Sequence, residues 1–374
     1  MKPHILHLIE SAGLYGAENV ILTLARAQQK TGDFIPVIGC IVNHREDHSS
    51  LYEKAISENI LAIKLVLPVS RYLLNINSTA QLLREYPITL IHCHGYKPAV
   101  FGFFIAKCNQ IPIISTCHNW IMPTQGPLKM RVMIALEKFL YRYFNKVIAV
   151  SRPVFTILSQ LNIAKEKLGI IYNGIEITIQ NESLLTREGL GLSKKDFVVI
   201  NLARLSPVKN QRALIKAVAS LAPQYPHIRL LLVGDGNDQA ALKALVHDHH
   251  LEENIIFLGF RKDALALLSL SNCFCLSSID EGMPISLLEA AAQKVPIIST
   301  DVGSVAMLIE NNMSGLLIPP NNIQALSQAI LQLINNPELG QEFSTQAYQQ
   351  LQQNFSAEKM QKEYAAIYRS VLPS

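Results

Sequence analysis

Phe197-Val198-Val199-Ile200-Asn201-Leu202, running into Ala203-Arg204-Leu205-Ser206-Pro207-Val208-Lys209-Asn210, is an apolar run followed by a polar turn. Residues 211–221 come next with apolar side chains at helical spacing, and residues 229–234 return to an apolar run of Leu and Val. A strand, a loop, a helix and a second strand in that order form a crossover unit, whose two strands run parallel. The strands are nearly continuous in Val, Ile and Leu, so both of their faces are predicted to be covered. The pattern continues outward from this unit. Downstream, strands are expected at 255–258, 273–276, 296–299 and 316–318, with a helix at 238–247. Upstream, strands are expected at 5–9, 36–42, 63–67, 89–93, 112–116 and 146–150, with helices at 17–30, closed by Gly32, and at 81–85.

Residues 173–195 are more polar and carry Gly174, Gly189 and Gly191, which reads as a connection between domains. The expected fold is therefore α/β, two Rossmann-like doubly wound domains facing across a cleft. The expected boundaries are 1–175, 176–355, and a terminal helix at 356–374 packing back on the first domain. The last stretch is rich in Gln, but Ile, Leu, Phe and Tyr are interleaved at amphipathic spacing, so it reads as helix and not as low complexity.

Of 374 residues, 49% are hydrophobic and 17% charged, which excludes a disordered chain. A net charge of +4 is too weak for a dedicated nucleic-acid binder, so no nucleic-acid partner is expected. It suits anionic substrates or a membrane surface. No leader peptide and no transmembrane run are expected. The six cysteines lie mostly in apolar runs and read as reduced, buried thiols. Cys273 and Cys275 point to one face of a strand and lack zinc spacing. These features predict a cytoplasmic protein, or one peripheral on the inner face of the cytoplasmic membrane.

Four loops follow predicted strands and carry the chemistry. Gly13 and Gly16 lie where the first helix opens, and Gly16 suits a phosphate at a helix N-terminus, although a plain turn fits as well. Arg204 and Lys209 form a cationic pair suited to a diphosphate, or simply a charged surface loop. Gly234-Asp235-Gly236 suits close backbone approach, or an ordinary Gly-Asp turn. In Asp280-Glu281-Gly282-Met283-Pro284-Ile285-Ser286-Leu287-Leu288-Glu289, Pro284 is expected as the first helical residue. Glu289 then lies about 7–8 Å further along the helix axis. Its two acceptor oxygens match a ribose diol, and Glu281 in the loop can accept from a second polyol.

Taken together, Arg204 with Lys209, the Gly234–Gly236 turn, and Glu281 and Glu289 with seven residues between them resemble the retaining family-4 glycosyltransferases of the GT-B fold. Ile148-Ala149-Val150-Ser151, Tyr172-Asn173-Gly174-Ile175 and Thr300-Asp301-Val302-Gly303 resemble segments of that family as well. The resemblance implies transfer of a sugar from a nucleotide-diphosphate donor, by default a UDP-sugar, to a hydroxyl acceptor with retention. It implies that Glu289 holds the ribose and that Arg204 and Lys209 neutralise the diphosphate. Glu281 would touch the donor sugar, and Gly282, Met283, Pro284 and Ile285 would supply backbone contacts. Gly16 would border the diphosphate, and His118 would match the family's active-site histidine near the donor sugar. No metal and no cofactor are implied. The acceptor is expected among bacterial cell-envelope polysaccharides, lipopolysaccharides or glycolipids, as a glycan or a lipid-linked hydroxyl.

The chain departs from the family pattern at Tyr15, Ala203 and Asn210, where glycine is usual, and at Ala306-Met307, where a glutamate is common. His92 and His94 flank Cys93 at another strand end and read equally as site or structural histidines. His247 and His250 sit three apart on a helix, without a further ligand, and read as a solvated face. Residues 129–144 form a basic amphipathic helix that can pack on the core or lie on an anionic bilayer. Residues 120–123 before it suit an acceptor loop. Two other readings stay open. One is a nucleotide-sugar epimerase or phosphorylase on the same fold, and the other is a non-catalytic partner of another transferase.

Overall fold

The computed structural model describes residues 2–10, 13–14, 16–44, 46–67, 86–118, 128–177 and 185–373. The expected helix at 81–85, the loop at 120–123 and Tyr15 lie outside them. The chain divides into two units, Met1–Glu176 with Ala357–Ser374, and Ile177–Ser356.

In the first unit the elements run β1 (His4–Ile9), α1 (Gly16–Thr31), β2 (Ile35–Val42), α2 (Ser50–Ser57), β3 (Leu61–Val66), β4 (Ile88–His94), α3 (Tyr96–Asn109), β5 (Ile113–Cys117), α4 (Leu128–Leu140), β6 (Lys146–Ala149), α5 (Arg152–Ser159) and β7 (Leu168–Ile170). The strands pair in parallel in the order β3-β2-β1-β4-β5-β6-β7. Ile5, Leu6, Leu8, Leu90, Ile91, Cys93 and Ile114 are wholly buried, as the unbroken apolar runs require of strands covered on both faces. Helix starts are set locally. Ser49 Oγ accepts from Tyr52 N at 3.3 Å to open α2, and Ser151 Oγ accepts from Val154 N at 3.2 Å to open α5. Gly32, at φ 69°, ends α1 in the left-handed region. The expected strands stand within two residues of their predicted ends, β3 starting two residues earlier than expected. β7 is an addition, a short strand of intermediate exposure whose three residues gave no apolar run to read.

The second unit runs β8 (Phe197–Leu202), α6 (Gln211–Leu221), β9 (Ile228–Val233), α7 (Gln239–Asp248), β10 (Ile255–Gly259), α8 (Ala264–Ser269), β11 (Cys273–Leu276), α9 (Ile285–Ala292), β12 (Ile297–Thr300), β13 (Leu316–Ile318), α10 (Ile323–Asn335) and α11 (Pro337–Asn354). Its parallel order is β10-β9-β8-β11-β12-β13. In both sheets the order reverses at the first strand of the unit, β1 or β8. Open α/β sheets bind ligands beyond the carboxyl ends of their strands at such a reversal.

The last helix, α12 (Ala357–Val371), belongs to the first unit and packs on α1. Gln361 Nε2 donates to Thr31 Oγ1 at 3.0 Å, and Arg369 pairs with Asp33 at 2.6 Å. Tyr368 is fully buried with its ring edge-on to Phe34. The six cysteines are unpaired, and all but Cys108 are buried.

Candidate functional site

In the second unit the loops after β8 and β11, on either side of the reversal, are laced together. Ile279 N donates to Val208 O at 2.9 Å, and Ser277 Oγ donates to Lys209 O at 2.9 Å. These bonds bring the side chains of the two loops into contact. Lys209 Nζ meets Glu281 Oε1 at 2.5 Å, and Ser278 Oγ donates to the same oxygen at 2.7 Å. Glu281 is nearly buried, so its charge is compensated locally. An ammonium has three donors, and one bond to Glu281 leaves others for an anion. Arg204 is exposed on the β8 loop. Its backbone is held by Gln211 Nε2, which donates to Arg204 O at 3.0 Å.

The glycines of the β9 loop shape this arrangement from below. A side chain at Gly234 would meet Ala203 O at 2.1 Å, and one at Gly236 would meet Leu205 O at 2.1 Å. Gly234 also has φ 132°, which L side chains rarely adopt. Leu205 N donates to Asp235 O at 2.9 Å across the same approach. These two glycines therefore let the loop carrying Arg204 close onto the β9 loop.

Pro284 is not the first helical residue. It is the N-cap of α9, with φ −72° and ψ 118°, and Ile285 begins the helix. The ring fixes φ but leaves ψ extended, so the loop turns into the helix one residue later than expected. This cap makes no side-chain hydrogen bond. Met283 and Pro284 are buried, and Glu289 lies just over a turn into α9. The Glu289 carboxylate has no hydrogen-bond partner among the described residues. Burial pushes it up to about 7, so near neutral pH it is half ionised. Ser304 is buried beside this loop, its backbone N donating to Gly282 O at 2.9 Å while its Oγ has no partner among the described residues.

In the first unit, Gly16 opens α1 and is exposed. His118 follows β5, and its Nε2 lies 3.0 Å from His94 Nδ1. His94 Nε2 lies 3.2 Å from His7 Nδ1, and His7 Nε2 lies 3.0 Å from Gln28 Oε1. His92, beside them, bonds Tyr368 at 2.9 Å and Thr116 at 2.7 Å. Burial pushes His7 and His118 down to about 4. His92 and His94 are held well below the ordinary range, by burial first and then by their histidine neighbours. All four are neutral at pH 7.

The chain matches the family described as Glycosyltransferase Family 4 over residues 15–178 and that described as Glycosyl transferases group 1 over residues 184–350. The chain belongs to the group 1, family-4 glycosyltransferases. Its fold is GT-B. It is 25% identical over 301 residues to the N-acetyl-alpha-D-glucosaminyl L-malate synthase of Bacillus anthracis, covering 78% of this chain and 77% of that one. It is 26% identical over 272 residues to the UDP-Gal:alpha-D-GlcNAc-diphosphoundecaprenol alpha-1,3-galactosyltransferase of Escherichia coli, covering 70% of each. The crystal structure of Anabaena HepE in complex with UDP-glucose superposes with a TM-score of 0.85 at 24% identity, over 98% of this chain and 99% of that one.

In this glycosyltransferase the structure joins Lys209 to Glu281 directly and ties the Arg204, Gly234 and Gly236 loops to one another. Gly282, Met283, Pro284, Ile285 and Glu289 continue the same segment, while Gly16 and His118 are built into the other unit. Sequence reading missed His7, Gln28, Tyr364, Tyr368 and Ser304. Two of them carried a signal, since Tyr364 and Tyr368 stand four apart on one helical face. The pairing of His7 with His92 depends on strand register, His7 lying opposite His92 across β1 and β4. His247 pairs with exposed Glu252 at 2.7 Å, in keeping with a solvated face.

Proposed function

We propose that this glycosyltransferase moves a hexose or related sugar from a UDP-sugar to a hydroxyl of a cell-envelope glycan or lipid-linked acceptor, with retention and without a divalent ion. The observation that carries the reading is the laced pair of loops, with Lys209 on Glu281 and an unpartnered Glu289 on the helix that follows. The anomeric carbon loses its bond to the diphosphate and gains one to the acceptor oxygen, and the acceptor's proton leaves on the diphosphate. Charge builds on the departing oxygen, where Arg204 and Lys209 are the cations suited to meet it. Glu289 accepts from the ribose hydroxyls. Glu281 is engaged by Lys209 and Ser278 and so serves as an anchor for the donor sugar, not as a nucleophile. The family resemblance assigns His118 to the donor sugar.

Support for a UDP donor and for such acceptors comes from the Escherichia coli relative, whose name specifies UDP-Gal and a diphosphoundecaprenol, and from the HepE complex with UDP-glucose. We further infer peripheral contact with an anionic membrane through α4, which exposes Leu128, Val132 and Phe139 beside Lys129, Arg131 and Lys138. Among the described residues no helix is long and apolar enough to cross a membrane.

The test is transfer by Lys209→Ala and Glu289→Ala with a donor chosen by thermal-shift screening of nucleoside diphosphates and their sugars. Lys209→Ala is expected to lower kcat about 10²–10³-fold. Glu289→Ala is expected to raise the donor KM roughly tenfold or more. Folded variants with undiminished transfer would remove both assignments, and turnover abolished by EDTA would remove the metal-free step.

A further inference from the structure

We propose that Gln28, His7 and His94 are positioning residues, a hydrogen-bonded relay that holds His118 protonated on Nε2 and presents its Nδ1 as an acceptor for a sugar hydroxyl. The inference rests on the reading of His118 as a donor-sugar contact. It begins with geometry. His7 and His92 lie opposite each other on β1 and β4, and His94, two residues on, shares their face. Tyr364 and Tyr368 of α12 cover that face, with rings 5.1 and 5.8 Å from His92.

One carboxamide governs both branches of the network. Gln28 Nε2 donates to the Tyr368 hydroxyl at 3.4 Å, which leaves Oε1 to accept from His7 Nε2–H at 3.0 Å. His7 then has a bare Nδ1, which accepts from His94 Nε2–H at 3.2 Å. His94 in turn has a bare Nδ1, which accepts from His118 Nε2–H at 3.0 Å. Each ring carries one proton, and the outward nitrogen of His118 is left with its lone pair and no partner among the described residues. With Gln28 in this orientation, any other placement in a neutral chain sets lone pair against lone pair, or N–H against N–H, inside a buried site. The second branch follows the same rule. Tyr368, having accepted from Gln28, donates to His92 Nδ1 at 2.9 Å. His92 Nε2–H donates to Thr116 Oγ1 at 2.7 Å, whose own proton goes to the Tyr364 hydroxyl at 2.8 Å.

Turning the Gln28 amide over would reverse every bond in both branches and make His118 Nδ1 a donor. An amide neither takes up nor releases a proton near neutral pH. The chain therefore ends blind, which suits a device that sets the tautomer and not a path that carries protons away. Burial keeps all four rings neutral, in keeping with this assignment. The nitrogens of His7, His92 and His94 lie within 4.8 Å of one another, a spacing that also suits a metal ion. Both nitrogens of each ring are already engaged in the bonds above, so the relay accounts for the cluster.

The test uses the full chain without ligand, its imidazoles labelled with nitrogen-15. Long-range proton–nitrogen correlation at neutral pH reads which ring nitrogen holds the proton, and the signals lost in His118→Gln assign that ring. The expected pattern is a neutral ring protonated on Nε2. Gln28→Met keeps the side-chain length and removes the amide. His118 is then expected to exchange between tautomers, with kcat for a UDP-sugar falling about tenfold and KM little changed. Gln28→Glu keeps an acceptor towards His7 and is expected to retain both the Nε2–H pattern and a near-normal kcat. A wild-type His118 protonated on Nδ1 overturns the relay. So does a tautomer unmoved by Gln28→Met, or one equivalent of added zinc held by the wild type and lost in His7→Phe. If Gln28→Met does not fold, the wild-type and Gln28→Glu spectra decide by themselves. Spectra as expected, with no nucleotide sugar turned over by the wild type, would leave the relay standing and fail the functional reading.

Discussion

Glu289 is held by its surroundings against its ordinary ionisation. Its carboxyl is raised to about 7 by burial, against an ordinary 4.5, so the fold favours its protonated form. Its contribution to stability is therefore complete below pH 4.5 and is lost as pH rises through 7. On the proposed reading, binding asks for the opposite form, because an ionised carboxylate is the better acceptor for a ribose diol. Glu289→Gln is thus expected to raise the melting temperature of the ligand-free protein at pH 8, by a gain on the order of 2 kcal/mol, while weakening UDP binding. Calorimetry across pH 6 to 8 checks both halves. For the wild type, UDP affinity should climb through that range. A flat profile, or a Glu289→Gln variant that binds UDP normally, would remove Glu289 from the ribose.

At the scale of the element, α4 is the helix whose pattern and burial disagree most with a purely internal role. Leu128 is 74% exposed, Val132 57% and Phe139 48%. At about 100° per residue these three fall on one narrow stripe. Glu137, on the opposite side, is buried, and Lys129 flanks the stripe on one side with Arg131 and Lys138 on the other. The Arg142 guanidinium lies over the Phe139 ring at 4.3 Å. An apolar stripe edged by cations is the arrangement that lies flat on an anionic surface, each cation there contributing about 1 kcal/mol. The protein is expected to float with vesicles containing phosphatidylglycerol and not with pure phosphatidylcholine, and Val132→Asp with Phe139→Asp should abolish the flotation. Equal behaviour on both lipids would mean that the stripe serves something else. The loop elements show a different economy. Gly234 and Gly236 are needed by the protein's own backbone, since they let the β9 loop approach the Arg204 loop. The sequence motif therefore acts as a packing device in the protein's own backbone.

For the molecule as a whole, the buried histidines of the first unit tie stability to pH. Four histidines that titrate near 6.5 in an unfolded chain are held neutral there, two of them pushed down to about 4 and two held well below their ordinary value. Their stabilisation is complete above about 6.5 and is lost as pH falls towards 4, because the unfolded chain then binds protons that the fold refuses. Glu289 works in the other direction over part of that range, but it is one group against four. Melting temperature is expected to drop steeply between pH 6.5 and 4, with the histidine ring signals of the first unit broadening first. A melting temperature constant over that interval would contradict the buried histidine cluster.

What the sequence determined by itself was the alternation of strand and helix, because a run of Val, Ile and Leu has few ways to hide two faces and a parallel sheet is the cheapest. It also placed Arg204, Lys209 and Glu281 in the loops after strands and Glu289 on the helix that follows, since loop chemistry follows local order. Only the tertiary structure decided that Lys209 grips Glu281, that Pro284 caps α9 without joining it, and that His7, Gln28, His94 and His118 form one chain. Those depend on strand register and on which loops meet, and these are set by contacts between residues 21 to 340 apart in the sequence. No local pattern encodes a separation of that kind, and the tyrosines of α12 complete the histidine network only once the chain end has folded back onto α1.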